Sequence, residues 1–288
     1  MYSDDSLQNV SEDEVATILS TLKSLLPTSV HAYYFIDSLL KWKKKVPEVD
    51  IGILCPEGGH KSGSVFFYVM VFDHLVFSAF IWSENGEQAL SDALVRTKRF
   101  QNGDYKYVWV TCMNYKVWSI MEPILPAVLK QCSSPKIGND QIFWLPADKA
   151  LQFHIKIPAG VHLAELKEEH AELINNLWPY SSEGSKKLIE MMTWVNFGRG
   201  LFKSDGELVA WAFYWFFGAL GIAHTLANER RKGYGKVVVQ AVCKEMASRG
   251  LDIHINIVEN NTASEKFFTS LGFEHAFNCI WAVYNVID

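Results

Sequence analysis

The sequence predicts an α/β (α+β) protein with mixed, mostly antiparallel sheets that are flanked by helices. Segments in which apolar and polar residues alternate, as in strands, are interspersed along the chain with segments of helical periodicity. The length of 288 residues suits one large or two medium domains, and both halves mix strands and helices in a similar way. Apolar residues make up 49% and charged residues 20% of the chain, which is typical of a globular protein with a full hydrophobic core.

The acidic N-terminal segment MYSDDSLQNVSEDEV predicts a frayed tail followed by a helix. Ser11 and Glu14 have the spacing of a capping box, in which each side chain bonds the other residue's backbone amide. Pro27 ends this helix. The apolar stripe of the helix consists of Val15, Ile18, Leu22 and Leu25.

Strands and helices alternate through the rest of the first half. Strands are predicted over Val30–Ile36, Val49–Cys55, Ser64–Phe72, Leu75–Ile81 and Tyr107–Thr111. Helices are predicted over Gln88–Thr97 and Val117–Gln131. Pro123 and Pro126 interrupt the second helix. The turn-rich segment Ser133–Asp140 predicts a break, and a strand is expected over Ile142–Leu145.

A new series of elements begins after a boundary near Ala150–Gly160. Asp205 and Gly206 form a strong hairpin-turn signal between two of its strands. The predicted elements are strand Val161–Leu166, helices Glu168–Asn176 and Gly184–Trp194, hairpin strands Gly200–Lys203 and Glu207–Trp215, strand Gly218–Leu226, a helix after Gly235, a strand around Ile253–Ile257, a helix from Asn260 to Gly272, and strand Asn278–Val286.

The most informative segment joins an apolar strand to a helix through R-x-x-G-x-G, formed by Arg230, Gly233 and Gly235. Two glycines at the start of a helix leave backbone N–H groups unobstructed, and the helix N-terminus carries about half a positive charge. The pattern therefore predicts an anion site, most simply for a phosphate or pyrophosphate. The alternative is an ordinary strand–turn–helix whose glycines serve only the turn. Positive side chains around the segment belong to Arg230, Arg231, Lys232 and Lys236.

A second block, DIHINIVENNTASEKFFTSLGFE, follows at a short distance and predicts a half-buried strand and a short helix. The two blocks match neither a P-loop nor the dinucleotide-binding fingerprint. In order, R-x-x-G-x-G and then V-x-x-N…L-G-F, they resemble the acyl-CoA site of the GNAT superfamily of N-acetyltransferases. The resemblance implies that the first block holds the pyrophosphate of coenzyme A and that the asparagine helix lies along the pantetheine arm. The residues implied for acyl-CoA or acetyl-CoA, bound as co-substrate, are Thr225, Leu226, Arg230, Arg231, Lys232, Gly233, Tyr234, Gly235, Lys236, Asn261, Ser264 and Phe268.

Three further segments resemble the glycine N-acyltransferase family: LKSLLPTSVHAYYFIDSLLKWKKKVPEVDIGILCPEG, HAELINNLWPYSSEGSKKLIEMM and TLANERRKGYG, the last with alanine where proline is usual. This resemblance implies two tandem domains of GNAT type. Residues 1–152 would be a degenerate copy without a phosphate loop, and residues 153–288 would be the catalytic domain that binds acyl-CoA. The implied activity is transfer of an acyl group to the amine of glycine or a similar small acceptor by direct attack.

A direct attack needs a neutral amine, and a base poised near neutrality contributes about 10²–10⁴-fold. Many members of the resembled family have Glu or His where this chain has Ala219 and Gly221, neither of which can take a proton. His224 is the titratable side chain on this strand and is the candidate base or water-positioning group. Strand alternation places it opposite Ala219 and Gly221, whereas a bulge between Gly221 and His224 would bring it to their face. The alternative is a histidine packed between strand and helix; Glu207 and Glu229 are weaker candidates.

A backbone N–H of the strand before the loop is the expected donor to the oxyanion. In the superfamily this strand splays from its neighbour at a bulge, and the pantetheine arm pairs with it. Phe268 stands where many members have a tyrosine acid, and Tyr284 is a candidate substitute. The leaving thiolate, like a cysteine with a pKa of about 8.5, needs little acid assistance.

The acceptor site is only sketched by the sequence. A carboxylate-bearing acceptor needs an arginine or a group of backbone amides, and Arg199 is a candidate. The segment PEGGHKSG has glycines, but no helix pattern follows it, which predicts a surface loop. A dense aromatic set either lines a slot for a hydrophobic acyl group or belongs to the core; it consists of Trp178, Tyr180, Trp194, Trp211, Trp215 and Phe216.

Composition restricts the partners and the location. The net charge of −5 argues against a nucleic-acid surface, and no apolar run approaches the ~20 residues of a membrane span. Five scattered cysteines and the absence of zinc-ligand spacing predict reduced thiols, no metal and an intracellular protein. The family favours mitochondria, whereas the acidic start is unlike an import signal, so mitochondrial and cytoplasmic locations both stay open.

The expected partner is therefore a small-molecule amine, with glycine first, and neither nucleic acid nor membrane. Two other functions stay open on the same fold. One is a protein or peptide N-acetyltransferase, and the other is a non-catalytic acyl-CoA-binding module, which Ala219 and Phe268 favour.

Overall fold

The computed structural model describes residues 5–287. The chain forms two compact units. The described parts of Met1–Ile142, Ile257–Thr262 and His275–Asp288 make up the first unit. Phe143–Asn256 and Ala263–Glu274 make up the second.

The secondary structure is mixed throughout, as predicted. The strands are β1 Leu7–Asn9, β2 Asp50–Pro56, β3 Ser64–Val71, β4 His74–Ile81, β5 Tyr107–Asn114, β6 Lys136–Leu145, β7 Val161–Glu165, β8 Phe197–Lys203, β9 Leu208–Tyr214, β10 Leu220–Thr225, β11 Ile253–Val258 and β12 Glu274–Asn285. The helices are α1 Glu12–Ser24, α2 Val30–Lys45, α3 Glu84–Arg96, α4 Tyr115–Met121, α5 Leu125–Val128, α6 Ala147–Leu151, α7 Ala171–Leu177, α8 Ser185–Val195, α9 Tyr234–Ser248 and α10 Thr262–Ser270. Short 3-10 helices span Gly59–Ser62, Glu168–His170 and Ala227–Glu229.

The sheet of the first unit contains the strand order β1-β2-β3-β4-β5-β12. Its pairs are antiparallel except for β4 and β5, which run parallel from His74 and Tyr107 to Phe77 and Val110. The C-terminal strand β12 thus belongs to the sheet of the first unit, next to β5. The division of the chain at residue 152 into a degenerate and a catalytic domain stays a prediction.

The second unit contains a four-stranded antiparallel sheet in the order β10-β9-β8-β7. Helix α9 packs on β8, β9 and β10. Every residue of β9 is buried, so β9 is the centre of this core. The predicted Asp-Gly turn joins β8 to β9, with Gly206 at a φ of 89°, which favours glycine.

The start of α1 confirms the predicted capping box. The Glu14 amide donates to Ser11 Oγ at 3.3 Å, and the Ser11 amide donates to Glu14 Oε2 at 3.2 Å. Val15, Ile18 and Leu22 of the stripe are buried.

Three local predictions are wrong. Val30–Ile36 is the beginning of α2, not a strand; every residue but Tyr33 is buried there, and such an apolar run hides its own periodicity. Leu7–Asn9 pairs with β2 instead of fraying, while residues 1–4 of the predicted tail lie outside the described residues. The turn-rich segment is strand β6 from Lys136 onward.

All five cysteines are free thiols, and Cys132 alone among them is not buried. Burial raises the pKa of the Cys112 thiol well above its usual range, which keeps it protonated. Within residues 5–287 there is no cluster of three or more His, Cys, Asp or Glu side chains that would hold a metal ion. No helix in this part of the chain has the length and apolar character needed to cross a membrane.

Candidate active site

The site is built where β10 passes into α9. The strand continues to Leu226, whose amide donates to Val209 O at 3.0 Å. The 3-10 helix Ala227–Glu229 then leads into the segment Arg230–Lys236, here called the glycine loop. Gly233 precedes the helix with a φ of 83°.

The glycine loop presents backbone amides without partners. Val237 donates the first helical bond of this turn, to Gly233 O at 3.2 Å. Among residues 5–287, no hydrogen-bond acceptor is found for the amides of residues 231–236. The loop is exposed at Arg231, Lys232 and Gly233, so these N–H groups are accessible to an anion.

The two glycines have different physical roles. Gly233 has open space where a Cβ would lie, but its positive φ disfavours any other residue. Gly235 has ordinary backbone angles, and a Cβ there would lie 3.1 Å from Thr225 Oγ1 and 4.0 Å from Phe267 Cζ. Gly235 therefore permits the close approach of β10, α9 and α10. Phe267 is a residue of the site that sequence reasoning missed.

The cations of the loop divide into two groups. Lys232 Nζ pairs with Glu229 Oε2 at 2.8 Å, and Lys203 Nζ pairs with the other oxygen at 2.8 Å. Hydrogen bonds from Lys203 and Lys232 lower the pKa of Glu229, which makes this carboxylate a structural anion and a poor base. The other three cations of the glycine loop, Arg230, Arg231 and Lys236, have no carboxylate partner within residues 5–287. Arg230 Nε donates to Thr225 O at 3.3 Å.

The structure places the remaining predicted cofactor residues on or before α10. Phe268 is buried and meets Phe267 and Phe273 edge-on, with ring centroids at 5.0 and 5.3 Å. Ser264 lies one turn earlier on the same helix. Asn261 precedes the helix, donates its amide to Val258 O at 3.1 Å, and belongs to the first unit.

The predicted bulge lies in β10. Gly221 pairs with Phe213 and His224 pairs with Trp211, so three steps on β10 match two on β9. Ile222, inside the bulge, has a φ of 45°, which is strained for a β-branched residue. His224 therefore lies on the same face of the sheet as Gly221.

Contacts identify the two faces of the sheet. Thr225 lies on the α9 side, next to Gly235. The opposite face, here called the aromatic face, is formed by Trp211, Phe213 and Trp215, beside Gly221 and His224 of β10. Trp178, at the end of α7, meets Trp215 edge-on at 5.7 Å.

His224 is half-buried on this aromatic face, and the alternative of a histidine packed between β10 and α9 is not what the structure shows. Its imidazole stacks on Trp211 with centroids 4.8 Å apart and an interplanar angle of 25°. Burial, and secondarily the charge of Arg230, lower the pKa of His224. The ring is therefore neutral near pH 7 and able to accept a proton.

Trp215 fills the space that a side chain at Gly221 would occupy. A Cβ at Gly221 would lie 2.8 Å from Trp215 Cβ and 3.0 Å from Trp215 Cγ. A histidine or glutamate at this position thus requires Trp215 to move. Sequence reasoning missed this contact because a single chain carries no signal that the two positions are neighbours.

Two side chains proposed from the sequence are not available for the roles suggested there. Arg199 pairs with Glu165 at 3.2 Å and Glu245 at 2.5 Å, so its charge is already compensated. Tyr284 lies in the core of the first unit, where burial raises its pKa to about 12 and makes it a poor acid.

Half of the predicted aromatic set belongs to the core, and Trp178 is partly buried. Trp211, Trp215 and Phe216 are at most 4% exposed. Tyr180 and Trp194 are instead on the surface, with exposed fractions of 62% and 52%.

Comparison with known proteins places this geometry in a recurrent fold. A family model described as "FR47-like protein" matches residues 198–282, which include β10, the glycine loop and α9. No curated protein matches the chain. A tandem GNAT protein from the clavulanic acid biosynthesis pathway is similar over 96% of both chains, with 12% identity and a TM-score of 0.54. The chain has the GNAT-type acetyltransferase fold.

Two other solved structures with the same overall architecture cover most of the chain. A Drosophila protein is similar over 98% of this chain and 99% of its own, with 21% identity and a TM-score of 0.85. A Pyrococcus horikoshii protein described as a "Putative Acetyltransferase" covers 97% of this chain and 88% of its own, with 9% identity and a TM-score of 0.55. The predicted fold class, including a tandem GNAT arrangement, is confirmed.

Strand β10 lies at the edge of its sheet, with one side free of strand pairing within residues 5–287. Within residues 5–287, β10 pairs with β9 alone, and β11 is not its partner. The absence of pairing between β10 and β11 agrees with the expectation that the strand before the glycine loop separates from its neighbour.

Substitution of Gly221 by alanine should destabilise the second unit, because the added Cβ overlaps Trp215 and such overpacking costs about 1–3 kcal/mol. Thermal unfolding of the full chain measures the effect. The matched control is Ala223→Ser, at an exposed position of the same strand. Equal melting temperatures for the two variants would show that Trp215 does not restrict position 221.

Proposed function

We propose that the protein is an acyl-CoA-dependent N-acyltransferase that acts on a small amine, with glycine as the first acceptor to test. The observation that carries the proposal is the exposed set of amides in the glycine loop that have no partner among residues 5–287, next to the free edge of a bulged strand. The GNAT fold and the resemblance to glycine N-acyltransferases support the same activity.

The acyl-CoA site is assigned to the second unit. The first turn of α9 contains no acidic residue, and Arg230, Arg231 and Lys236 surround it with positive charge. In the first unit, the helix that follows β4 carries Glu84 and Glu87 in its first turn. Carboxylates at these positions repel a diphosphate and neutralise the partial positive charge of the helix N-terminus.

The free edge of β10 suits the pantetheine arm. An edge strand presents N–H and C=O groups that an extended, amide-containing chain can pair with. The bulge around Ile222 turns backbone groups out of the regular ladder, and an N–H there is the donor assigned to the thioester oxygen.

In the proposed reaction, the amine attacks the thioester carbon and the carbonyl oxygen becomes an oxyanion. The backbone N–H of the bulge stabilises this charge. His224 accepts the proton that the attacking nitrogen must lose, directly or through a water. The C–S bond then breaks and CoA leaves as a thiolate, which needs little protonation.

A second candidate function, a non-catalytic acyl-CoA-binding module, is favoured by three positions. Ala219 and Gly221 carry no ionisable group, and Trp215 blocks position 221. Phe268 is buried among other rings and cannot donate a proton.

One panel separates these functions. CoA release is measured with acetyl-CoA and benzoyl-CoA against glycine, other amino acids, simple amines and peptides, alongside direct CoA binding. Turnover with glycine or similar amines supports the proposal, and turnover with peptides alone supports a peptide N-acetyltransferase. Binding without turnover supports the module, and no CoA binding contradicts both.

Bulky residues in the glycine loop should weaken CoA binding. In Gly233→Val the positive φ is lost, and in Gly235→Val the side chain meets Thr225, so each variant displaces the amides. We expect Kd to rise about tenfold or more, which corresponds to the loss of one hydrogen bond to a charged group. Isothermal titration calorimetry measures it, and unchanged Kd values would refute the assigned site. The control is Gly206→Val, which has a similar φ of 89° and open space but lies in the β8–β9 turn.

Removal of His224 should change the pH dependence. Because burial lowers its pKa, the wild-type kcat/KM should be constant near pH 7 and fall as pH drops through a value below 6.5. His224→Ala should lose about 10²–10⁴-fold in kcat and also lose this acidic limb. His162→Ala, on an exposed position of β7, is the control. Unchanged turnover across the pH range in His224→Ala would exclude His224 as the base.

A further inference from the structure

We propose that Trp211 is a positioning residue of this site, which holds the His224 imidazole against its indole ring and sets the direction of the imidazole nitrogens. The inference rests on the proposed function, in which His224 is the base. It goes further by assigning a positioning role to Trp211, which the sequence placed only in an aromatic set that lines an acyl slot or belongs to the core.

The first observation is the register. Trp211 and His224 are direct cross-strand partners on β9 and β10, so their side chains leave adjacent backbones on one face. Their rings are nearly parallel, at 4.8 Å and 25°. A stacked imidazole has lost most of its freedom to rotate, which is what a base in a fixed direction requires.

The second observation is that Trp211 is fully buried. It is 0% exposed, and its partner on the other side is Gly200 of β8. The indole is thus enclosed in the core, with Gly200 and His224 as its cross-strand neighbours.

The third observation is the strain that produces the pairing. Without the bulge, His224 would point toward α9 and Trp211 would face another residue of β10. The bulge instead places Ile222 at a φ of 45°, a conformation that costs about 1–3 kcal/mol and persists only where surrounding contacts enforce it. The stacked pair is one such contact.

The fourth observation is electrostatic. The charged group that acts on His224 is Arg230, from the glycine loop, and it disfavours the imidazolium. Burial of the imidazole against the Trp211 indole shields the neutral ring from water and disfavours the imidazolium further, so that the proton-accepting form prevails near pH 7.

The test compares Trp211→Leu with the conservative Trp211→Phe in the full chain. Phe202→Leu is the matched control, because Phe202 stacks on another histidine, His162, at 5.7 Å and 27°. NMR of the imidazole protons reports ring-current shifts and the titration of each histidine without any need for activity. The pH profile of kcat/KM and the Kd for CoA are measured in parallel.

We expect Trp211→Leu to remove the ring-current shift of His224, to move its titration toward 6.5 and to lower kcat about 10- to 100-fold. The Kd for CoA should be unchanged, and Trp211→Phe should restore most of the activity and the acidic limb. Phe202→Leu should alter the signals of His162 and of His170, whose ring lies 5.1 Å from Phe202, and leave His224 unchanged.

An unchanged His224 shift and titration in Trp211→Leu would overturn the proposal. If Trp211→Leu does not fold, Trp211→Phe decides, because a phenyl ring produces a smaller ring-current shift; an unchanged shift in that variant would also overturn it. The proposed function fails separately, through absence of turnover with every acceptor, and the NMR result still shows whether Trp211 orients His224.

Discussion

The free edge of β10 is the constraint on which the rest of the site depends. A strand at the edge of a sheet keeps one row of backbone N–H and C=O groups unpaired, which natural proteins usually cover or disrupt. Across residues 5–287, β10 pairs only with β9 and is followed by a loop whose amides are unpaired as well. One continuous stretch of backbone therefore offers hydrogen bonds along the strand and a positive end at the helix.

The side chains around this backbone keep it open. Glu229 binds Lys203 and Lys232 and so connects the loop to the end of β8. Gly235 lets α9 approach Thr225, which places the helix N-terminus at the end of β10. The loop is thus shaped mainly by ion pairs and by a missing Cβ, and it needs no large side chain of its own.

The aromatic face, on the other side of the sheet, is shaped by the packing of large rings. Ala219 and Gly221 are small, and Trp215 occupies the volume that a side chain at position 221 would need. The bulge then brings His224 to that face and onto Trp211. A larger side chain at position 221 and the Trp215 ring would compete for the same space.

The sequence by itself determined the structural features that depend on local pattern. Gly233 and Gly235 in register with a helix predicted the amide loop, the spacing of Ser11 and Glu14 predicted the capping box, and alternation predicted most strands, because each signal lies within a few residues. Local pattern failed for Val30–Ile36, where burial on all sides erases periodicity. Only the tertiary structure decided the remaining features. They are the bulge that brings His224 to the aromatic face, the space at Gly221 that Trp215 fills, the ion pairs of Arg199 with Glu165 and Glu245, and the position of β12 in the sheet of the first unit. Each of these results from contacts between residues on different strands or helices, and a local pattern does not encode which distant side chain will fill a given space.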